Sequence, residues 1–522
     1  MMPRAGLRAS VRAPVFWAFA SGAATGVGQA PWGLWGVTVA ALAVVAVLVA
    51  RAPGWRGGAL RAWVAGTGGF VVALSWIVEP FFVDAARHGW MAPFALIVLT
   101  GGLALFWGAA GALASWAVRA PVARVWAFAL CMLAFEALRG VVFTGFPWAL
   151  VGHVWIGTPV DQIAAIGGPL ALSALSLGAA AGLATGWLRR GRRRALGPSL
   201  AALAVAASWA WGAARLAEPA PEAPGIPLRI VQPNVPQHLK WDPAFVEEFY
   251  LRHLELTQRP AETAPALVVW PESAAPFRLE NPGFGLRAAA QAAGGVPVIL
   301  GIDRSERNAV GARLYYNSLV VLDPAGEVAA LYDKHHLVPF GEYIPLLGPL
   351  AEARGWSGLA ARALSGYTPG PGPALLDLGP LGHALPLICY EAVFPRNLHT
   401  ETRPDWIVQI TNDAWFGTRA GPFQHLAQAR LRAIEQGLPL VRAANTGVSA
   451  VIDARGRLVA QLGLGEMGIV DADLPGARAP TPYARIGDTP WHLVLAVSIL
   501  ALILRRRRTA VRPAIDAKAP DR

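Results

Sequence analysis

Leu385-Pro386-Leu387-Ile388-Cys389-Tyr390-Glu391 is a short apolar run that ends on a thiol. A run of this length bounded by polar residues reads as a buried β-strand, and a cysteine at such a strand end is ordinarily a small core hydrophobe. Its company argues otherwise. Ala266-Leu267-Val268-Val269 leads through Trp270-Pro271 to Glu272-Ser273, and Tyr332-Asp333 leads to Lys334, followed by His335-His336-Leu337-Val338-Pro339-Phe340-Gly341-Glu342. A carboxylate, an ammonium and a thiol thus each stand just past a strand-like run.

The same texture extends outward in both directions. Leu228-Arg229-Ile230-Val231, Val296-Pro297-Val298-Ile299-Leu300, Ser318-Leu319-Val320-Val321-Leu322, Trp406-Ile407-Val408-Gln409-Ile410 and Gly447-Val448-Ser449-Ala450-Val451-Ile452 are further β-branched runs. They alternate with the helical stretches 243–259 and 422–436. Strands and helices in alternation predict an α/β layered domain over 227–475, near the upper size for one core. Asp323-Pro324-Ala325-Gly326 and Asp453-Ala454-Arg455-Gly456 have the composition of hairpin turns. Two proline-rich segments frame the domain, a linker at 217–226 and a return linker at 476–490.

Beyond this frame the composition changes. The 522-residue chain is 54% hydrophobic and only 15% charged, against about 25% charged in ordinary soluble domains, and the apolar excess is concentrated before residue 216. Uncharged apolar segments cover 13–30, 31–50, 62–78, 91–118, 163–188 and 195–214, and 125–142 is interrupted only by Glu136 and Arg139. Most reach the ~20 residues a helix needs to cross a bilayer, and they lack the polar face of a soluble helix. Seven candidate spans therefore fill 1–216, and 491–504 supplies an eighth, followed by a basic tail at 505–522.

Charge sets the expected orientation. Arg4, Arg8 and Arg12 precede the first span, Arg51, Arg56 and Arg61 follow the second, Arg119 and Arg124 follow the fourth, and Arg189, Arg190, Arg192, Arg193 and Arg194 follow the sixth. Arg505 to Arg508 follow the eighth, whereas the intervening connections hold a single arginine, Arg87. This is the positive-inside pattern with an even number of crossings, so both termini are expected in the cytoplasm and the domain at 227–475 on the other side. These arginines account for the net charge of +12 as a topology signal, and no nucleic-acid motif accompanies them. The apolar start leads directly into another apolar segment and reads as a retained membrane segment. Cys131 and Cys389, the two cysteines, fall in separate compartments and form no disulfide framework.

A thiol that attacks an ester or amide carbonyl needs a base to take its proton and a donor to hold the oxyanion. Glu272 is the candidate base and Lys334 the candidate oxyanion partner. A carboxylate raises a thiol's pKa and an ammonium lowers it, so sequence leaves the resting state of Cys389 open. A carboxyl group partly buried behind Trp270-Pro271 could hold a raised pKa and serve as base.

The three segments resemble the nitrilase, or carbon-nitrogen hydrolase, superfamily with its Glu-Lys-Cys triad, and nearly the whole chain resembles the apolipoprotein N-acyltransferase family. The likeness starts with Glu136-Ala137-Leu138-Arg139-Gly140 and Thr144-Gly145-Phe146-Pro147-Trp148. It continues through Gln232-Pro233-Asn234-Val235-Pro236-Gln237 with Lys240-Trp241, the Trp-Pro-Glu segment, His336 to Tyr343 and Cys389-Tyr390-Glu391. Thr411-Asn412-Asp413-Ala414-Trp415-Phe416-Gly417, Gln424-His425 and Tyr483-Ala484-Arg485-Ile486-Gly487-Asp488 complete it. The resemblance implies a multi-span α-helical membrane domain joined to an α-β-β-α sandwich, with no metal and no organic cofactor, in a bacterial inner membrane with the catalytic domain periplasmic. It implies transfer of an acyl chain from a phospholipid, typically phosphatidylethanolamine, through a cysteine thioester to the amino group of a lipoprotein's diacylglyceryl-cysteine. Carried onto this chain, Cys389 is the nucleophile, Glu272 the general base and Lys334 the oxyanion stabiliser. Glu342 orients Lys334, Tyr390 and Glu391 shape the nucleophile's surroundings, and Trp241 and Tyr343 match aromatic positions at a lipid-facing site.

Two other readings compete: a membrane-tethered amidase or nitrilase that uses water, and a transporter or scaffold whose domain only binds. A binding module has no need of three reactive residues, and an ordinary nitrilase relative has no need of eight spans. Other polar residues carry weaker claims. His335 and His336 either bind metal or position the lysine loop, without a carboxylate or cysteine at ligand spacing to favour metal. Glu136 and Arg139 lie three apart on a membrane helix, costly there unless paired or facing a cavity; they either pair with each other as structural glue or line a phospholipid headgroup path. Asn412 and Asp413 either line the site or make a turn, and Arg432, Glu435 and Arg442 are either ion pairs within the domain or ligands.

Overall fold

The computed structural model describes residues 4–309, 311–343 and 366–516; part of the basic tail at 505–522 lies outside them. The chain divides into two compact units, one formed by Met1–Glu218 with Thr481–Arg522 and the other by Pro219–Pro480.

The first unit is helical, with α1 (Arg4–Gly26), α2 (Trp35–Ala50), α3 (Gly54–Ala73), α4 (Ala92–Ala117), α5 (Pro121–Arg139), α6 (Ala164–Leu188) and α7 (Leu196–Ala217). Small residues bring these helices together, as expected where apolar lipid gives no hydrophobic drive to associate: a methyl on Gly182 would lie 2.7 Å from the Gly197 carbonyl oxygen. Two apolar runs that read as continuous are interrupted. The run at 62–78 bends by 51° after Ala73. The run at 163–188 breaks at Gly167-Gly168-Pro169, where Gly168 has φ +64° and a Cβ would meet the Tyr483 ring at 2.2 Å. Glu136 Oε1 accepts from Val151 N at 2.9 Å, and Arg139 Nη1 donates to the carbonyls of Phe146 and Trp148 at 2.6 and 2.8 Å. These contacts give both charges a structural part that differs from pairing with each other: they satisfy backbone of a non-helical segment that lipid would leave unpaired.

The second unit contains two six-stranded sheets. Sheet one, in the order β12-β1-β2-β3-β4-β5, holds β1 (Pro227–Gln232), β2 (Leu267–Val269), β3 (Val298–Arg307), β4 (Arg313–Leu322), β5 (Val328–Asp333) and β12 (Gly468–Asp473). Sheet two, in the order β11-β10-β9-β8-β7-β6, holds β6 (Leu376–Asp377), β7 (His383–Ile388), β8 (Trp406–Thr411), β9 (Leu440–Ala444), β10 (Ser449–Ile452) and β11 (Leu458–Leu462). Strands β1 to β3 and β7 to β9 run parallel, and the flanking strands antiparallel.

Period-two alternation along each strand builds the layers. Leu267 and Val269 join Leu228, Ile230 and Ile299 against Ile388, Trp406, Val408 and Ile410 between the sheets. Val268, one residue out of phase, packs instead with Leu256 and Leu286, which belong to α8 (Val246–Thr257) and α9 (Gly285–Ala292). Leu385 and Leu387 likewise pack with Leu426, Ala429 and Ala433 of α10 (Gly421–Gln436). The result is the α-β-β-α sandwich. Both Asp-rich turns are hairpins, each stapled by an aspartate oxygen that accepts two backbone N–H groups, Asp323 from Ala325 and Glu327, and Asp453 from Arg455 and Arg457.

The chain then returns to the first unit and ends in α11 (Thr489–Asp516). By length and composition, five helical stretches suffice to cross a membrane: Ala85–Ala117, Pro121–Arg139, Pro159–Leu188, Gly191–Ala217 and Thr489–Arg507. A sixth is counted when Gly54–Ala73 and Ser75–Phe82 are taken as one bent span, and α2, an apolar helix of 16 residues, is shorter.

Candidate active site

Cys389 is the first residue past β7 and sits at φ +51°, a left-handed conformation that costs a side-chain-bearing residue roughly 1–2 kcal/mol. The strain is held by Glu391, which is fully buried and works as a staple. Its Oε2 accepts from Ile388 N at 2.7 Å, and its Oε1 accepts from the backbone N–H groups of His335 and His336 at 2.8 and 3.1 Å. The Tyr332 hydroxyl donates to the same carboxylate at 3.0 Å. One side chain therefore fastens the cysteine turn to the segment that carries Lys334. His335 and His336 serve this segment, and no cluster of potential metal ligands occurs among the described residues.

Glu272 and Lys334 meet beside the thiol. Lys334 Nζ donates to Glu342 Oε1 at 2.8 Å and lies 3.7 Å from Glu272 Oε1. Glu272 Oε1 accepts from Asn317 Nδ2 at 2.7 Å, and its Oε2 accepts from Asn412 N at 2.8 Å. The Asn317 amide also reaches Glu342 Oε1 at 3.2 Å, while Glu342 Oε2 accepts from Val338 N at 2.7 Å. Lys334 is buried between two carboxylates that are themselves held by amide donors.

The charges act on the thiol in opposite senses. Burial pushes the Cys389 thiol up, Glu272 adds to that, and Lys334 with a hydrogen bond from Thr411 pulls the other way without prevailing. Burial also works against the Lys334 ammonium, but Glu342, Glu272 and Cys389 outweigh it and hold its pKa above the ordinary lysine value. The raised pKa favours the neutral thiol beside the Lys334 ammonium, so an attack through this sulfur would need a base to make the thiolate.

Of the other expected residues, Tyr390 is buried with its ring edge-on to those of His336 and Phe394 at 5.8 and 4.9 Å. Tyr343 is half-buried, and its carbonyl closes the loop by accepting from Phe340 N at 2.7 Å. Trp241 is half-exposed and borders a cavity of about 20 Å³ with Lys240, Phe249, Tyr250, His253 and Ser273. Asn412 lines the site through its backbone. Arg432 pairs with Glu435 at 2.6 Å and Arg442 with Asp413 at 2.5 Å, both inside the domain.

Two residues beside the site were given no role by sequence reasoning. Asn317 bridges both carboxylates from β4; the only signal was an amide just ahead of an apolar run. Lys240 donates to the Glu272 carbonyl at 3.2 Å, and burial brings its ammonium down to about 8 against the opposing pull of Glu272 and Asp303.

Residues 228–483 match the carbon-nitrogen hydrolase family, and residues 21–182 match the apolipoprotein N-acyltransferase N-terminal domain. The chain is 41% identical to an apolipoprotein N-acyltransferase of Caulobacter vibrioides over 85% of its own length and 84% of that protein. It is 38% identical to one of Rhodopseudomonas palustris and 40% identical to one of Bradyrhizobium diazoefficiens, over 94% of its length and 95% and 94% of theirs. Among solved structures, an amidase of Nesterenkonia sp. AN1 aligns with 53% of this chain and 98% of its own, at 18% identity and a TM-score of 0.36.

Proposed function

The chain belongs to the apolipoprotein N-acyltransferase family, and from that premise we propose the residues and the acyl donor through which this bacterial membrane enzyme, an N-acyltransferase with lipid and lipoprotein partners, works. Glu272 takes the proton of Cys389, and the thiolate attacks the sn-1 ester carbonyl of a phospholipid, with phosphatidylethanolamine as the donor. The Lys334 ammonium holds the oxyanion. Collapse of the tetrahedral intermediate breaks the ester bond, the leaving alkoxide recovers the proton from Glu272, and a lysophospholipid departs from a Cys389 thioester. The α-amino group of a lipoprotein's diacylglyceryl-cysteine then attacks the thioester, gives its proton to Glu272 and releases the thiolate, which is reprotonated. The amide product and the free thiol close a ping-pong cycle.

One observation carries this reading: Lys334 Nζ is hydrogen-bonded to Glu342 and lies 3.7 Å from Glu272, with Glu272 and Lys334 both acting on the thiol. Lys334 makes its shorter contact, 2.8 Å, with Glu342 and the longer one, 3.7 Å, with Glu272. Water would compete for a thioester, so a low-polarity site is required. In the cell the enzyme is proposed to lie in the inner membrane with residues 219–480 in the periplasm.

Incubating the purified protein with phosphatidylethanolamine and digesting it for mass spectrometry tests the scheme. An acyl adduct is expected on Cys389, discharged on adding a diacylglyceryl-cysteine peptide, and none in Cys389→Ala. Wild-type protein that acylates the peptide without ever carrying the adduct would exclude the covalent route.

A further inference from the structure

Beneath the nucleophile lies a fully buried polar cluster that the scheme above does not use. Cys389's carbonyl oxygen accepts from Gln409 Nε2 on β8 at 3.1 Å and lies 3.0 Å from His425 Nε2 on α10. His425 Nδ1 lies 2.8 Å from Asp413 Oδ1 and 3.3 Å from Arg442 Nη2, and the Phe416 ring stands edge-on to the imidazole at 5.5 Å. Arg442 Nη1 donates to Gln409 Oε1 at 2.6 Å, which fixes the glutamine amide with its nitrogen toward the cysteine.

Asp413, His425 and Cys389 thus stand in the order of a carboxylate-imidazole-thiol triad, yet the imidazole meets the nucleophile's main chain. We propose that His425 is a positioning residue that donates from Nε2 to the Cys389 carbonyl and so holds the cysteine in its left-handed conformation. A carbonyl oxygen only accepts, so this contact requires the proton on Nε2; Nδ1 then accepts from Arg442 Nη2 at 3.3 Å, a donor that has to offset the facing Asp413 Oδ1, itself an acceptor 2.8 Å from Nδ1. The other tautomer also has its partners: Nδ1 donates to Asp413 and Nε2 accepts from Gln409 at 3.1 Å. Burial and Arg442 depress the imidazole's pKa, so it carries a single ring proton. Moving that proton between the two nitrogens changes the donors on the Cys389 carbonyl from two to one, with no heavy-atom motion. Glu272 remains the base.

The inference rests on Cys389 being the nucleophile, and its test separates the two. Rates of Cys389 acylation by phosphatidylethanolamine are measured on the full-length wild type, His425→Gln and His425→Asn. The glutamine amide can replace Nε2, whereas the shorter asparagine amide replaces only Nδ1. His425→Gln is expected to stay close to wild type in kcat and in its pH profile, and His425→Asn to lose ~10- to 100-fold in kcat with little change in KM, the cost of one buried hydrogen bond. Equal rates in the two variants, or a pH limb lost in His425→Gln, overturn the proposal. Nitrogen-15 spectra of histidine-labelled wild type, with His425 assigned by its loss in His425→Gln, should show Nε2 protonated; an Nδ1–H tautomer overturns the proposal even if His425→Asn does not fold. Wild type that forms no adduct defeats the acyl-enzyme scheme instead.

Discussion

Cys389 is pulled two ways by its neighbours, and substituting one of them separates reactivity from catalysis. Burial and Glu272 raise its pKa, and Lys334 lowers it. The sign follows directly: with the folded pKa above the ordinary value, the thiolate fraction is small at neutral pH and grows only as pH climbs past the usual thiol range. Alkylation of Cys389 by iodoacetamide should therefore be slow at pH 7 and rise without a plateau below about pH 9. In Glu272→Gln the carboxylate's repulsion disappears while Lys334 stays, so alkylation at pH 8 should become about 3- to 10-fold faster, whereas acylation by phospholipid is lost with the base. Alkylation and acylation falling together would show that Glu272 only shapes the pocket.

Elements bring the proposed catalytic groups together through their ends. Glu272, Lys334 and Cys389 follow β2, β5 and β7, and the Glu391 carboxylate binds the last two of these ends together through three backbone N–H groups, the Tyr332 hydroxyl and the His335 imidazole. Removing it leaves buried N–H groups unpaired, at a cost of about 3 kcal/mol. In Glu391→Ala, hydrogen exchange should quicken in both 334–338 and 388–393, with Cys389 acylation reduced; faster exchange in only one segment would show that the staple does not couple them. At this scale sequence reading did well on the strands, because period-two burial is written into the residues. It missed Asn317, since a β4 residue that serves two carboxylates distant in sequence has no local mark.

Across the whole molecule, the chain leaves the helical unit at Glu218 and rejoins it at Thr481. Arginines in alternate connections are the only orientation signal, and they predict that reporter fusions after Arg194 and after Pro475 report opposite sides of the membrane. Both reporting the same side would overturn the assigned topology.

Composition, hydropathy and the strand-like runs by themselves determined the α/β layered character of one unit and the apolar helical character of the other, and they marked Glu272, Lys334 and Cys389 as candidates, because each of these is expressed in short stretches of neighbouring residues. The tertiary structure decided how those residues are held. The bend after Ala73, the break at Gly168, the Asn317 bridge, the Glu391 staple and the His425 contact all depend on partners far away in sequence. A hydrogen bond between distant segments is set by how the sheets and helices stack, and no local pattern encodes that distance.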